Sequence, residues 1–313
     1  MSFLYFLESI RNPVCDAFFS LITLLGEETA FMAIGIIVFW CFSKFQGYFL
    51  LITGFLGTII NQFLKMLFRI PRPWIKDPNF TIVESAREGA SGFSFPSGHT
   101  QTSVTLLGGI ARANKNAGVR YGAIALCVLV PLSRLYLGVH TPLDVSVSIL
   151  ISLLLIFGGY PLFKKAEQSD KVMYIIIVSL FLLTLAFTLF VSLYQFPEEV
   201  YLKENIHNLE SARKNAFTLL GCSEGFFVVY FVVRKFLNFE TKAIWWAQII
   251  KVVVGLAIVL AVKELTRYPL DAIFNGSLIA RSIRYFLVVI TAGILWPLTF
   301  RWFSKLGNKK AVN

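Results

Sequence analysis

Three short stretches of this sequence hold residues that can act on a charged group. Residues 133–144, SRLYLGVHTPLD, bring Arg134, His140 and Asp144 next to a predicted helix start. Residues 65–73, KMLFRIPRP, contribute Lys65 and Arg72. Residues 96–99, PSGH, contribute Ser97, Gly98 and His99. Together these are fixed N–H and O–H donors, two imidazoles and one carboxylate. Such a set suits a phosphate ester. Transfer of a phosphoryl group is governed by positioning and charge stabilisation, and enough converging cations supply the latter without a metal.

Each motif has a physical rationale and a plainer alternative. Arginine offers a planar fork that matches phosphate oxygens. Pro71 and Pro73 restrict the backbone on both sides of Arg72 and predict an extended residue that aims its guanidinium. The alternative for Lys65 and Arg72 is a pair of cations snorkelling at a membrane boundary. Ser97 can cap a helix and donate its hydroxyl. Gly98 allows close backbone approach, and the free N–H groups of a helix start form an anion site. The alternative is an ordinary Pro-Ser-Gly turn. Pro142 suits a first helical turn, and a helix starting near Thr141 lets Asp144 reach one nitrogen of His140. That would fix the tautomer and leave the other nitrogen free to attack phosphorus. The alternative is a structural polar pair at a helix end. The chain has three histidines, and two of them fall in these motifs. The third, His207, sits in a polar stretch and reads as solvated.

The elements that must position these residues are apolar helices. The 313 residues are 56% hydrophobic and 15% charged, with a mean hydropathy of +0.69, whereas soluble domains carry about a quarter charged residues. Spans are expected at 29–43, 47–68, 99–113, 119–138, 142–162, 172–195, 216–237, 244–262 and 283–300. No period-two alternation supports a barrel. The fold class is therefore all-α, a polytopic helical membrane protein. Residues 1–26, broken at Arg11-Asn12-Pro13, read as an interfacial or a short, tilted helix pair rather than a clean span, and not as a cleaved signal peptide. Residues 69–97 form a long loop of the functional kind. A change in composition near Glu167 divides a catalytic half, 1–165, from an accessory half, 166–313, of about four spans.

Charge narrows the partners. The net charge is +11, but the basic residues cluster at segment ends, so membrane lipids are the expected partners and nucleic acid is not. Cys15, Cys41, Cys127 and Cys222 form no CxxC pair and read as small hydrophobes, neither disulfides nor metal ligands. No metal or other cofactor is expected. Counting crossings puts the three motifs on one face. The loops near Arg112–Arg120, Lys164–Lys171 and Arg234–Lys242, with the tail at Lys305, Lys309 and Lys310, fall on the other, cytoplasmic one. Lys263, Glu264, Arg267, Arg281 and Arg284 fall on the motif face, where they either receive an anionic headgroup or anchor at the surface. Glu224 and Lys251 lie within apolar runs and are read as paired or locally hydrogen-bonded. Two sequons, at Asn79 and Asn275, lie on the same outer face. No GxxxG seam indicates an oligomeric state.

Taken together, Lys65…Arg72-Pro73, Pro96-Ser97-Gly98-His99 and Ser133-Arg134…His140…Asp144 resemble the type-2 phosphatidic acid phosphatase family. All spacings match its three-part signature, over roughly residues 1–165. The resemblance implies a six-helix phosphatase core with additional C-terminal spans. It implies His140 as nucleophile forming a phosphohistidine, Asp144 supporting it, and His99 protonating the leaving oxygen. Lys65, Arg72, Ser97, Gly98 and Arg134 would hold the phosphoryl group, with no metal. Such an enzyme would hydrolyse a lipid phosphate monoester or pyrophosphate on the extracytoplasmic face of a plasma or bacterial inner membrane. Phosphatidic acid, sphingosine phosphate, phosphatidylglycerol phosphate and polyprenyl pyrophosphates are its candidate substrates. A lipid phosphotransferase on the same site and a glucose-6-phosphatase-like sugar phosphatase are the alternatives. A lipid-binding protein without chemistry is disfavoured by the intact histidine pair, and a haloperoxidase by the membrane spans.

Overall fold

The structure, a computed structural model, describes residues 1–202 and 205–306. Lys309 and Lys310 of the expected basic tail lie outside the described residues. Among those described, the regular structure is helical and no strand occurs. Helix α1 (Ser2–Ser9) and α2 (Pro13–Thr23) part where Arg11, Asn12 and Pro13 interrupt the apolar run. Asn12 caps α2 by accepting from Cys15 N at 3.0 Å, and Pro13 occupies the first helical position. Helix α3 (Glu28–Cys41) follows after a bend of 55°. Then come α4 (Lys44–Phe68), the single turn α5 (Pro73–Lys76), α6 (Gly98–Ala113), α7 (Ala117–Tyr136) and α8 (Pro142–Gln168). The chain continues through α9 (Asp170–Leu193), α10 (Ile206–Val232), α11 (Trp245–Leu265), α12 (Arg267–Ile273), α13 (Leu278–Ile290) and α14 (Phe300–Lys305).

Seven segments among the described residues are long and apolar enough to cross a bilayer, and the bent pair ending in α3 makes up to eight. The protein is an all-α, polytopic integral membrane protein. Two of the nine expected spans differ from a long apolar helix. The segment expected at 29–43 is the second limb of the bent pair. The segment expected at 99–113 is α6, which is only sixteen residues long and buried at ten of them, including Thr100, Gln101, Thr102, Ser103 and Thr105. A helix that polar avoids lipid and packs inside protein.

The chain packs as two compact units that interleave in sequence. The first comprises Met1–Met32, Phe49–Lys165 and the described part of Leu193–Ala212. The second comprises Ala33–Tyr48, Ala166–Ser192 and the described part of Arg213–Asn313.

Within the first unit, a ladder of polar contacts joins α6 to α8. Ser148 Oγ donates to Ser97 O at 2.9 Å, Ser152 Oγ to Gln101 O at 3.1 Å, and Thr105 Oγ1 to Ser152 Oγ at 3.1 Å. The loop 69–97 is more ordered than its Pro- and Gly-rich composition suggests. Phe80, Ile82, Ala86 and Ala90 are buried with Leu4, Tyr136, Leu137 and Val139 in one cluster. Val83 N donates to Leu137 O at 3.1 Å, Tyr5 Oη to Asp77 Oδ2 at 2.8 Å, and Thr81 N to Glu8 Oε1 at 2.9 Å. The N-terminal helix thus clamps this loop.

Within the second unit, Lys251 is buried. It donates to Trp40 O at 3.0 Å and Thr241 O at 2.9 Å and sits 4.4 Å from the Phe300 ring centre. Of the two readings held open for it, the local hydrogen bond is the one found; Glu224 is exposed. Cys222 is buried, and Cys15, Cys41 and Cys127 are half-buried.

Leu4 is 1% exposed in the loop cluster. Leu4→Ala is expected to cost about 2–3 kcal/mol of local packing, in line with other buried leucines. The readout is limited proteolysis in detergent, with faster cleavage within residues 77–92. Unchanged cleavage would mean that α1 does not hold the loop.

Candidate active site

The first unit gathers all eight motif residues. Helix α4 delivers Lys65 in its last turn, and the chain leaves the helix at Arg69, whose φ is +48°. Arg72 follows in extended backbone, φ −66° and ψ 156°, as the flanking prolines predict. Its guanidinium is 4% exposed and nearly saturated by loop carbonyls. Nε donates to Gly92 O at 3.1 Å, Nη2 to Ser91 O at 2.7 Å and Nη1 to Val139 O at 2.9 Å. Lys65 Nζ donates to the neighbouring carbonyl of Phe93. These carbonyls answer how two buried cations are tolerated. Each meets fixed dipoles of the opposite sense before any anion arrives.

Ser97 caps α6, accepting from Thr100 N at 3.4 Å, and its own N–H donates to Asp144 O at 3.1 Å. That bond ties the start of α6 to the start of α8. Gly98 opens the helix and carries no side chain of its own beside the free first N–H groups. His99 lies against the 3₁₀ turn Leu24–Gly26 after α2. A Cβ on Gly26 would sit 2.8 Å from His99 Cβ and 2.9 Å from its carbonyl oxygen, so only glycine admits this approach. Arg134, 1% exposed, donates through Nη1 to Thr23 Oγ1 at 2.7 Å, while its Nε and Nη2 meet no partner in the protein.

His140 and Asp144 are each 1% exposed at the head of α8. Arg72 Nη1 lies 2.9 Å from His140 Nε2. A guanidinium can only donate, so Nε2 is the acceptor and the ring proton belongs on Nδ1. Nδ1 points at Asp144 Oδ2, 3.5 Å away, within ion-pair range but too long for a good hydrogen bond. Asp144 Oδ2 instead accepts from Ser94 Oγ at 2.6 Å and Thr141 N at 2.8 Å. The sequence expectation is corrected in two respects. The carboxylate orients His140 by charge and by holding the helix start rather than by a tight bond, and the second nitrogen is engaged by Arg72 rather than free. Burial, and then the charges of Arg72, Arg134 and Lys65, hold the His140 imidazole well below its ordinary pKa, which keeps it neutral.

The arrangement can do two things. Three buried cations face one buried carboxylate, with Glu27 acting on Arg134 from a half-buried position, so the site carries a positive excess that suits a phosphate dianion. A neutral imidazole stands with its lone pair among those cations, which is where a nucleophile for phosphorus must stand. Among the described residues, no three His, Cys, Asp or Glu side chains come together as a metal site. The remaining candidates, Lys263, Arg267, Arg281 and Arg284, belong to the second unit. Lys263 lies 3.4 Å from Glu264, and Arg267 is 5.8 Å from the Tyr268 ring centre. Arg281 Nε donates to Thr218 Oγ1 at 2.7 Å, and Arg281 and Arg284 each lie 5.4 Å from the Tyr285 ring centre.

Four residues at the site escaped the motif reading. Ser94 and Thr23 contact Asp144 and Arg134 from distant positions, and no local pattern marks them. Ser148 lies four residues beyond Asp144, on the same face of α8, and donates to both Asp144 O and Ser97 O. Asn61 lies one turn before Lys65 on the same face of α4; that spacing was its one visible signal.

Residues 45–168 match the family described as PAP2 superfamily, and residues 217–309 match the PAP2 superfamily phosphatase, transmembrane extension. The chain belongs to the PAP2 superfamily. It carries that superfamily's domain across the whole motif region and the transmembrane extension beyond it. It is 28% identical over 165 residues to an undecaprenyl-diphosphatase, BcrC, of Bacillus subtilis, covering 51% of this chain and 79% of that protein. It is also 28% identical over 160 residues to a probable sphingosine-1-phosphate phosphatase of Dictyostelium discoideum, covering 47% of this chain and 38% of that one. A crystal structure of Aquifex aeolicus LpxE aligns over 50% of this chain and 92% of its own at 26% identity and a TM-score of 0.45.

The neutral His140 makes stability depend on pH. The unfolded chain protonates this residue near pH 6.5, while the folded chain does so only at lower pH. Between the two, the unfolded state binds more protons, so stability is present above about pH 6.5 and falls as pH drops. His140→Gln is expected to flatten this loss between about pH 6.5 and 5 in thermal unfolding of the detergent-solubilised protein. An equally steep loss in the variant would place the acid sensitivity elsewhere.

Proposed function

We propose that this protein hydrolyses a lipid phosphate, a monoester or a pyrophosphate, through a phosphohistidine formed on His140. The observation that carries the proposal is the Arg72–His140 contact. The same guanidinium that would bind a phosphoryl oxygen touches the nitrogen that would attack phosphorus. Binding and attack are therefore spatially linked, and attack requires the Arg72 contact to pass from Nε2 to the phosphoryl group.

In this reading Lys65, Arg72 and Arg134 neutralise the oxygens, and Ser97 and the N–H groups from Gly98 onward complete the cradle. Asp144 stabilises the cationic ring that forms as His140 is phosphorylated. His99 gives a proton to the departing oxygen and later takes one from water. Charge stabilisation by three cations lets the reaction proceed without a metal. Two relatives named for lipid pyrophosphate and lipid monoester cleavage support the lipid class, as does a site built at the ends of membrane helices. We assign catalysis to residues 1–165 and an accessory role to residues 166–313, where Lys263, Arg267, Arg281 and Arg284 would meet an anionic headgroup. The active face is extracytoplasmic in a plasma or bacterial inner membrane, by the count of crossings.

The test is phosphate release by the detergent-purified protein from undecaprenyl pyrophosphate, sphingosine phosphate, phosphatidic acid, phosphatidylglycerol phosphate and glucose 6-phosphate. One or more of the lipids should be cleaved, EDTA should have no effect, and His140→Ala should lose at least about 10³-fold, as expected for a lost nucleophile. Full turnover by His140→Ala would sink the mechanism, and preference for glucose 6-phosphate would sink the lipid class.

Ser94 supports Asp144 without touching substrate in this scheme. Ser94→Ala is expected to lower kcat about tenfold with little change in KM, as losses of outer hydrogen bonds to catalytic groups do. An altered KM with unchanged kcat would instead put Ser94 in the binding of substrate.

A further inference from the structure

Asn61 is 1% exposed, and neither atom of its amide, Oδ1 nor Nδ2, has a hydrogen-bond partner in the protein. A buried amide left wholly unpaired costs free energy comparable to lost hydrogen bonds, and such a group calls for an explanation. Its position supplies one. Asn61 precedes Lys65 by one turn on the same face of α4, about 6 Å along the helix axis. It also borders the start of α6: a Cβ built on Gly98 would meet, within 4 Å, only Asn61 Oδ1, at 3.8 Å. The amide therefore closes the space in front of Gly98, the residue before His99. Other open polar atoms belong to the same site, namely Arg134 Nε and Nη2, His140 Nδ1 and Thr100 Oγ1.

The chemistry of the amide limits what can satisfy it. Phosphoryl oxygens accept and do not donate when ionised, so they would answer Nδ2 and leave Oδ1 unpaired. A partner that both donates and accepts is a water or a hydroxyl. Hydrolysis of a phosphohistidine needs one such molecule, entering in line on the side of phosphorus opposite the P–N bond, where the leaving oxygen departed.

We propose that Asn61 is a positioning residue for this water, and that it commits the site to hydrolysis rather than to transfer onto another alcohol. The inference rests on the His140 reading above. In the step, the water oxygen forms a bond to phosphorus and its proton passes to the neutral imidazole of His99. The P–Nε2 bond breaks, its electron pair returns to His140, and inorganic phosphate leaves. Asn61 Oδ1 accepts the second water O–H, and Nδ2 donates to the water oxygen, so that its remaining lone pair faces phosphorus.

The experiment compares the two half-reactions in Asn61→Leu, a near-isosteric change that removes only the polar atoms. Radiolabelled lipid phosphate is mixed with purified protein and quenched in alkali, where phosphohistidine survives; phosphoprotein and free phosphate are then measured over time. The expected result is a first-turnover formation of phosphoprotein close to that of the unmodified protein, with phosphate release slowed about 100-fold, the scale of a misplaced reactant. The phosphoprotein then accumulates. The melting temperature should hold or rise, because the variant no longer buries an unpaired amide. A purely structural Asn61 would not move the ratio of the two rates. Release at the unmodified rate, or equal slowing of formation and release, overturns the proposal. Should Asn61→Leu fail to fold, Asn61→Ala takes its place: slowed release alone supports the proposal, and an unchanged ratio of the two rates overturns it. Absence of phosphoprotein in every variant, with His140→Ala still releasing phosphate, would overturn the His140 reading itself and this proposal with it.

Discussion

The structure of the first unit depends on burying Arg72. A guanidinium has five N–H donors and cannot shed its charge, so it enters an apolar bundle only where acceptors are fixed around it. The acceptors here are carbonyls of residues 91, 92 and 139, drawn from two separate loops. The charge therefore organises the chain as much as the chain positions the charge. The loop 69–97 closes over α4 because its carbonyls satisfy Arg72 and Lys65, and the turn at Val139 sits beside it because it supplies one more. His140 follows Val139 directly, so its imidazole is placed by the same contact.

A second constraint follows from like charge. Among the described residues, Lys65, Arg72 and Arg134 are all buried in one site with a single buried carboxylate, Asp144. In a low dielectric their mutual repulsion is large, and it is relieved when an anion joins them. A dianionic phosphoryl group would be held by the release of that repulsion as well as by hydrogen bonds. Arg134 shows the division of labour. One N–H is anchored on Thr23, which fixes its direction, and the remaining donors stay open toward the site.

The eight motif residues were legible in the sequence because seven are polar, Gly98 stands between two of those, and all lie at short spacings beside apolar runs. The extended backbone of Arg72 was legible for the same reason, since proline acts on its immediate neighbour. What remained hidden was non-local. Ser94 and Thr23 meet their partners across 50 and 111 residues, and no periodicity reports such a pairing. The core of the loop was hidden because Phe80, Ile82, Ala86 and Ala90 fall among glycines, prolines and charges, where no repeat of two or 3.6 survives. Helix α6 was legible as a helical segment but its burial was not, because hydropathy counts residues and not neighbours; its Thr100, Gln101, Thr102, Ser103 and Thr105 side chains are buried. The distance between Asp144 and His140 was misjudged because a spacing of four gives reach but not competition, and Ser94 and Thr141 compete for the same carboxylate oxygen.

The ladder between α6 and α8 has a mechanical meaning. Its rungs recur every four residues on both helices, at 97 and 101 and at 148 and 152. Sliding one helix along the other by a single residue would break every rung between them at once, leaving the Ser148 and Ser152 hydroxyls only the carbonyls of Asp144 and Ser148 on their own helix. The next register that restores the pairing lies a full turn away, about 5.4 Å. The pair therefore behaves as a keyed shaft. Its upper end holds Ser97 and His99 on one side and His140 and Asp144 on the other, so the two halves of the site keep a common height. When the surrounding bilayer thins or thickens, the pair can meet the mismatch by tilting as one body, but not by shear between its helices.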